Sequence, residues 1–157
     1  MADSPQLKVG MHAPVFTLTG TSGRVSLGDL IGTHHLLMYF VREFGCHTCM
    51  ANAVRLAKMR DEIGVANTRI VMVGGGHAEA AQKIRDRYKL PFPVFADSDH
   101  SVYDSFGLDK ALLIFQKSGV FLIDRHGVLR YMHAAGNPSQ SFNDREILSE
   151  VAKLAPL

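Results

Sequence analysis

Short apolar runs of strand length alternate along the chain with segments whose apolar residues recur at helical spacing. The segment His35–Val41 is almost entirely apolar, which is typical of a central strand covered on both faces. Thr68–Gly74 has the same character and predicts a second buried strand. Between them, His47–Ile63 places apolar residues on one side of a helix and charged residues largely elsewhere, which predicts a long helix.

The other segments complete an alternating order of strands and helices. They are a hairpin at Val15–Leu27, a helix at His77–Leu90 that ends before Pro91, a short strand at Phe92–Asp97, a short helix at His100–Leu108, a hairpin at Ser118–Ala134 and a helix at Asn143–Leu154. Asn143 or Ser141 is the expected N-cap of the last helix. This order predicts an α/β fold with a mixed central sheet, in which the late hairpin supplies an antiparallel pair.

Length, composition and charge narrow the possible function classes. The 157 residues suffice for one domain with its own core, so we expect a single domain over residues 1–157. Hydrophobic residues make up 46% and charged residues 20%, as in ordinary globular proteins. The net charge of +2 is scattered along the chain without a basic stripe, which disfavours nucleic acid as a partner.

The apolar pattern predicts neither a membrane span nor a secretory signal. The polar segment Met1–Gly10 lacks the apolar stretch of a signal peptide. The longest apolar runs, such as Leu36–Val41 and Ala111–Phe115, are far too short to cross a bilayer. We therefore expect a cytoplasmic protein. In that reducing compartment, paired cysteines indicate redox or metal chemistry before a structural disulfide.

The two cysteines of the chain lie three positions apart, directly after Gly45, where the predicted strand gives way to the predicted helix. Cys46 falls at the helix entrance and Cys49 lies one turn inside. Unpaired N–H groups and the helix dipole favour negative charge there, so we expect a thiol with a lowered pKa. Because residues three apart share a helix face, one thiolate can attack a substrate and the other can close a disulfide with the product.

Basic residues beside the cysteines are further candidates for the chemistry. His47, between the two thiols, can exchange a proton near neutral pH. Arg42 and Arg55 add positive potential if their side chains point inward. The candidate catalytic residues are Cys46, Cys49, His47 and Arg42.

Two alternatives compete with redox chemistry at this motif. The cysteines can be small buried side chains without a chemical role. With a histidine such as His34 or His35, they can instead ligate zinc or copper(I). We expect no cofactor and no metal, and keep a metal-binding module as the alternative from another function class.

Four segments that together cover nearly the whole chain resemble those of one known family. They read VGMHAPVFTLTGTSGRVSLGDL, LLMYFVREFGCHTC, YKLPFPVFADSDHSVYDSFGL and GVFLIDRHGVLRYMH. The family is the peroxiredoxins, the alkyl hydroperoxide reductase/thiol-specific antioxidant (AhpC/TSA) branch of the thioredoxin fold. The resemblance implies a thioredoxin-like fold, with a central mixed β-sheet flanked by helices and an N-terminal β-hairpin.

The active-site match to that family is partial. Typical peroxiredoxins read P-x-x-x-T-x-x-C, and the final cysteine attacks the peroxide. On this chain Cys49 takes the place of that cysteine, while Cys46 replaces the threonine and Arg42 replaces the proline. The family also uses an arginine shortly before the late strand, and Ser118 stands at about that place, with Lys117 beside it.

The motifs Phe44–Cys49 (FGCHTC) and Gly119–Phe121 (GVF) resemble most closely the C-x-x-C subgroup of peroxiredoxin-like proteins. This resemblance implies a thiol peroxidase that reduces hydrogen peroxide or organic hydroperoxides, cycling between dithiol and disulfide. It also implies a thioredoxin-type reductant and the dimerisation common among relatives. A thiol–disulfide oxidoreductase acting on protein disulfides is the neighbouring alternative. Family position favours Cys49 as the attacking sulfur and exposure favours Cys46, so the order of attack stays open.

Overall fold

The computed structural model describes residues 6–108, 110–111 and 115–154, and it confirms the predicted α/β class. The strands are β1 Thr17–Gly20, β2 Gly23–Ser26, β3 His35–Phe40, β4 Thr68–Gly74, β5 Val94–Ala96, β6 Lys110–Ala111, β7 Phe115–Gln116, β8 Ser118–Ile123 and β9 Leu129–Ala135. The helices are α1 Leu27–Ile31, α2 His47–Lys58, α3 Arg60–Val65, α4 Ala78–Arg87, α5 Ser101–Ser105 and α6 Asp144–Ala152, with a 3₁₀ turn at Pro138–Gln140. Residues 1–5 of the N-terminal segment and 112–114 of the run Ala111–Phe115 lie outside the described residues.

Seven of the strands form one mixed sheet in the order β2-β1-β5-β4-β3-β8-β9. The central strand β3 pairs in parallel with β4 and antiparallel with β8. The N-terminal hairpin is β1–β2 and the late hairpin is β8–β9, as predicted. The sheet therefore holds the carboxyl end of β3 between two neighbours, and the cysteine loop starts from that end.

Strand β3 is buried on both faces and divides the interior into two layers. Leu36, Met38 and Phe40 face α1 and α5, whereas Leu37 and Tyr39 face α2, α4 and α6. All five side chains are fully buried. Burying a side chain of this size stabilises the fold by roughly 1.5–3 kcal/mol, so β3 is a rigid base for the loop that follows it.

One predicted helix is two helices. The expected helix His47–Ile63 is wrong as a single element, because α2 ends at Lys58 and α3 begins at Arg60. Met59 lies between them, and its N–H donates to the carbonyls of both Arg55 and Leu56. This tightened turn keeps the apolar side continuous across the junction. Periodicity alone therefore gave no sign of the break.

The other helices that the sequence predicts differ from the structure only at their ends, whereas α1 is not among the predicted elements. Helix α4 stops before the predicted Leu90, because Lys89 takes a left-handed backbone conformation with φ of 51°. Helix α6 is capped by Asn143, whose side chain accepts the N–H of Glu146 at 3.1 Å. Ser141 is not the cap. Its hydroxyl is buried and lies 2.6 Å from that of Ser118.

Gly74 at the end of β4 gives room to the ring of Phe44, which lies two residues before Cys46. A methyl group on Gly74 would overlap that ring, so we expect Gly74→Ala to displace Phe44 and to lower the free energy of unfolding by about 1–3 kcal/mol. Gly64→Ala in α3 is the matched control, because a methyl group there meets open space and improves helix propensity. Urea unfolding measures both, and equal stability of the two variants would contradict this account of Gly74.

Candidate active site

The loop between β3 and α2 carries both sulfurs and is held by backbone hydrogen bonds at each end. Val41 N–H donates to Val73 O at 3.0 Å, which continues the pairing of the sheet for one residue beyond β3. Cys46 N–H donates to Glu43 O at 3.1 Å and closes a turn. The chain thus leaves the sheet and enters α2 within a few residues, with Cys46 as the N-cap.

Cys46 takes the role of a helix-capping side chain. Its Sγ accepts the N–H of Cys49 at 3.2 Å, as the oxygen of serine or aspartate does at an ordinary N-cap. Only 5% of Cys46 is exposed to solvent. The sulfur therefore lies against the positive end of α2, in a place where negative charge is favoured.

Cys49 lies one turn deeper and is fully buried. The pKa of the Cys49 thiol is raised to about 12, chiefly by burial and secondly by a hydrogen bond with the Cys46 sulfur. The Arg42 N–H, which donates to Cys49 Sγ at 3.4 Å, acts in the opposite direction, as does the hydroxyl of Tyr39. The expectation of a lowered pKa is therefore wrong for Cys49, because loss of hydration outweighs the two donors.

Tyr39 and Asn52 belong to the site, and sequence reasoning missed both. The Asn52 side-chain amide donates to Tyr39 Oη at 3.2 Å, and the Tyr39 hydroxyl is hydrogen-bonded to the Cys49 sulfur. Burial raises the pKa of Tyr39 above its ordinary value, so its hydroxyl stays protonated and can donate. The sequence pattern could have indicated Asn52, because it is a polar residue on the apolar side of α2. Its exposed fraction is 6%.

Among the described residues, the side chains of the basic candidates make no hydrogen bond to either sulfur. His47 is exposed at the first position of α2, and among the described residues its ring has no hydrogen-bonding or ionic partner. The Arg42 guanidinium is 3.6 Å from the carboxylate of Glu43, so only its backbone N–H reaches a cysteine. Arg55 points to α6, where it bonds to Asp144 at 2.7 Å.

The place of the family's arginine holds a buried serine. Ser118 is fully buried, and its Oγ lies 2.6 Å from that of Ser141. Two neutral hydroxyls bonded to one another supply no fixed positive charge. The site thus differs from the typical one in its charge as well as in its sequence.

The described residues do not assemble a metal site around the cysteines. No group of three or more His, Cys, Asp or Glu side chains in the described ranges is placed to hold an ion. His35 lies at the opposite end of β3 from the cysteine loop, and its Nδ1 accepts the N–H of Arg125 at 3.0 Å. The zinc or copper alternative therefore gains no support from the geometry. No helix in the described part of the chain has the length and apolar character needed to cross a membrane.

Comparison with known proteins identifies the family. Residues 9–132 match the model of the AhpC/TSA family. The chain belongs to the AhpC/TSA family. The predicted resemblance is thereby confirmed, and with it the assignment as a peroxiredoxin-type, thiol-dependent peroxidase with a thioredoxin-like fold.

Individual relatives agree with this assignment. Peroxiredoxin Bcp of Escherichia coli K12 is 28% identical over 133 residues, which cover 80% of this chain and 85% of that protein. The crystal structure of peroxidoxin BcpB from Mycobacterium tuberculosis superposes with a TM-score of 0.83 at 16% identity, covering 95% of this chain and 99% of that one. AhpC of the same organism gives a TM-score of 0.79 at 18% identity, over 94% and 93% of the two chains. At these identities the structures show a shared fold.

The raised pKa of Cys49 makes stability depend on pH. The ordinary pKa of a cysteine is 9.0 and that of folded Cys49 is about 12, so between these values the unfolded chain loses the proton first. We expect the free energy of unfolding to fall as pH rises through this window, by at most about 1.4 kcal/mol per pH unit, and to be unaffected by Cys49 below it.

The measurement is urea unfolding of the reduced protein on both sides of pH 9. Cys49→Ala is the reference, because it keeps every other group that titrates in this range. The difference in slope between wild type and variant isolates Cys49. Parallel slopes would show that the folded thiol ionises as in an unfolded chain.

Proposed function

We propose that this protein reduces peroxides through Cys46 and Cys49, and that Cys46 attacks first. The proposal rests on the different surroundings of the two sulfurs. Cys46 caps α2 and accepts an amide N–H at 3.2 Å, whereas Cys49 is fully buried and its pKa is raised. Because the thiolate is the attacking species, the sulfur at the positive helix end is the better nucleophile.

The first step is a two-electron transfer to the peroxide. The Cys46 thiolate attacks one peroxide oxygen, the O–O bond breaks, and Cys46 becomes a sulfenic acid. The other oxygen leaves as hydroxide or alkoxide and takes up a proton. His47 is proposed as the donor of that proton, because it is the residue next to Cys46 at the start of α2 and is exposed to solvent.

The second step closes the disulfide. The Cys49 thiol attacks the Cys46 sulfenic sulfur and its proton leaves with the hydroxyl group as water. A dithiol protein of the thioredoxin type then reduces the disulfide and regenerates both thiols. Peroxiredoxins as a class use peroxide substrates and reductants of this kind. We propose the same pairing for this chain, in a reducing compartment such as the cytoplasm and with a homodimer as the working form.

This assignment exchanges the roles that family position gives to the two sulfurs. In the typical motif, the residue in the place of Cys49 attacks the peroxide. Here the family's threonine is replaced by Cys46, so a second sulfur occupies the helix end. Arg42 is proposed to contribute through its backbone N–H at Cys49, while its guanidinium pairs with Glu43.

Single cysteine variants test the order of attack. We expect Cys49→Ser to form a sulfenic acid at Cys46 with stoichiometric hydrogen peroxide and to stop there. We expect Cys46→Ser to react about tenfold or more slowly, because the remaining thiol is protonated at neutral pH. Stopped-flow mixing gives the rates, and dimedone trapping followed by mass spectrometry identifies the oxidised residue.

The double variant Cys46→Ser/Cys49→Ser supplies the background rate, since the chain has two cysteines. Fast trapping of Cys49 in Cys46→Ser would reverse the proposed roles. If peroxide reacts with neither thiol faster than with free cysteine, while a protein disulfide is reduced rapidly, the protein is a thiol–disulfide oxidoreductase instead.

A further inference from the structure

We propose that Tyr103 is a positioning residue for the buried sulfur: its hydroxyl fixes the peptide Val41–Arg42, whose N–H donates to Cys49. The proposal deepens the proposed function, and it rests on Cys49 taking part in the thiol chemistry. It assigns a role to a tyrosine on the opposite face of the sheet from the cysteines.

The hydroxyl of Tyr103 is aimed at the carboxyl end of β3. Tyr103 Oη lies 2.5 Å from Val41 O and 3.1 Å from Val73 O, and the nearer carbonyl takes its one proton. The side chain is fully buried. The ring packs edge-on against Phe40 at 5.1 Å between centroids, and the Tyr103 N–H donates to Asp97 Oδ2 at 2.9 Å. These contacts hold the hydroxyl within hydrogen-bonding distance of both carbonyls, with that of Val41 the nearer.

The peptide that accepts this bond is the one that donates to the sulfur. Its C=O belongs to Val41 and its N–H to Arg42, and that N–H lies 3.4 Å from Cys49 Sγ. In a trans peptide these two groups point in opposite directions. Tyr103 therefore holds the peptide from the layer of α1 and α5, while Cys49 receives its N–H in the layer of α2.

Two physical effects follow from this arrangement. A hydrogen bond to the carbonyl fixes the rotation of the peptide plane and so the direction of the N–H. It also polarises the amide, which strengthens the bond that the N–H donates, by about 10–30%. Burial raises the pKa of Tyr103 well above its ordinary value, with the charges of Asp97 and Cys49 adding to it, so the hydroxyl keeps its proton.

The donor depends on the residue type at position 42. Typical peroxiredoxins carry proline there, and proline has no N–H. With Arg42 in its place the amide is available, and the guanidinium is turned to Glu43 instead. Position 42 thus acts on Cys49 through its backbone, and Tyr103 acts through position 42.

The test uses Tyr103→Phe in a Cys46→Ser background, where Cys49 is the one thiol and serine keeps the helix cap. We expect the rate at which Cys49 reacts with methyl methanethiosulfonate to fall about three- to tenfold, as loss of one hydrogen bond implies. We expect hydrogen exchange at the Arg42 amide to accelerate by a similar factor. Tyr131→Phe is the matched control, because it removes a hydroxyl that bonds to exposed Glu146 and should change neither rate.

A double-variant cycle separates positioning from general loosening. If Tyr103 acts through the Arg42 N–H, adding Tyr103→Phe to Arg42→Pro has no further effect on Cys49, whereas independent effects multiply. Multiplying effects, unchanged rates in Tyr103→Phe, or rapid exchange of the Arg42 amide in the wild type would each overturn the proposal. The measurement of Arg42 amide exchange uses the wild type, so it does not depend on whether any variant folds. None of these readouts uses peroxide, so a protein that passes them without reducing peroxide refutes the proposed function alone.

Discussion

The site depends on one hydrogen bond, the one from the Cys49 amide to the Cys46 sulfur at the start of α2. It joins the two cysteines through the backbone before any disulfide exists, and it places one sulfur at the positive end of a helix. The bond requires that α2 begin at a fixed point. That point is set by β3, which is buried on both faces and ends between β4 and β8. The rigidity of the sheet is thus what holds the two sulfurs in unequal surroundings.

Two of the residues that replace the usual peroxiredoxin residues form hydrogen bonds at the cysteines, one through its side chain and one through its backbone. Cys46 replaces a threonine and still accepts an amide N–H at the helix end. Arg42 replaces a proline and adds an N–H that proline lacks. The buried Ser118–Ser141 pair stands where a charged arginine is usual. Compared with the typical site, the chain thus has an additional backbone donor at Cys49 and a neutral hydroxyl pair in place of a charged side chain.

The sequence was sufficient for the fold class, both hairpins and the place of the cysteines, because strand burial and helix amphipathicity leave periodic signals. It did not show the break at Met59, since the turn there preserves the apolar period. It did not show Tyr39 as a donor, because a tyrosine in a buried strand looks like any other apolar residue. The predicted direction of the Cys49 pKa shift was wrong because two effects oppose each other: closeness to the helix end lowers the pKa, and depth below the surface raises it. The sequence indicates only the closeness to the helix end.

In the proposed mechanism, the unequal surroundings of the two sulfurs also give the reaction an order. Burial contributes most to the raised pKa of Cys49, and the Coulombic effect of Cys46 adds to it. In the proposed reaction, oxidation of Cys46 to the sulfenic acid removes that charge, so the cost of ionising Cys49 is then set mainly by its burial. The Arg42 N–H then faces the developing charge at Cys49, at 3.4 Å in the reduced form. Under the proposed mechanism, the first oxidation therefore lowers the electrostatic cost of ionising the second sulfur.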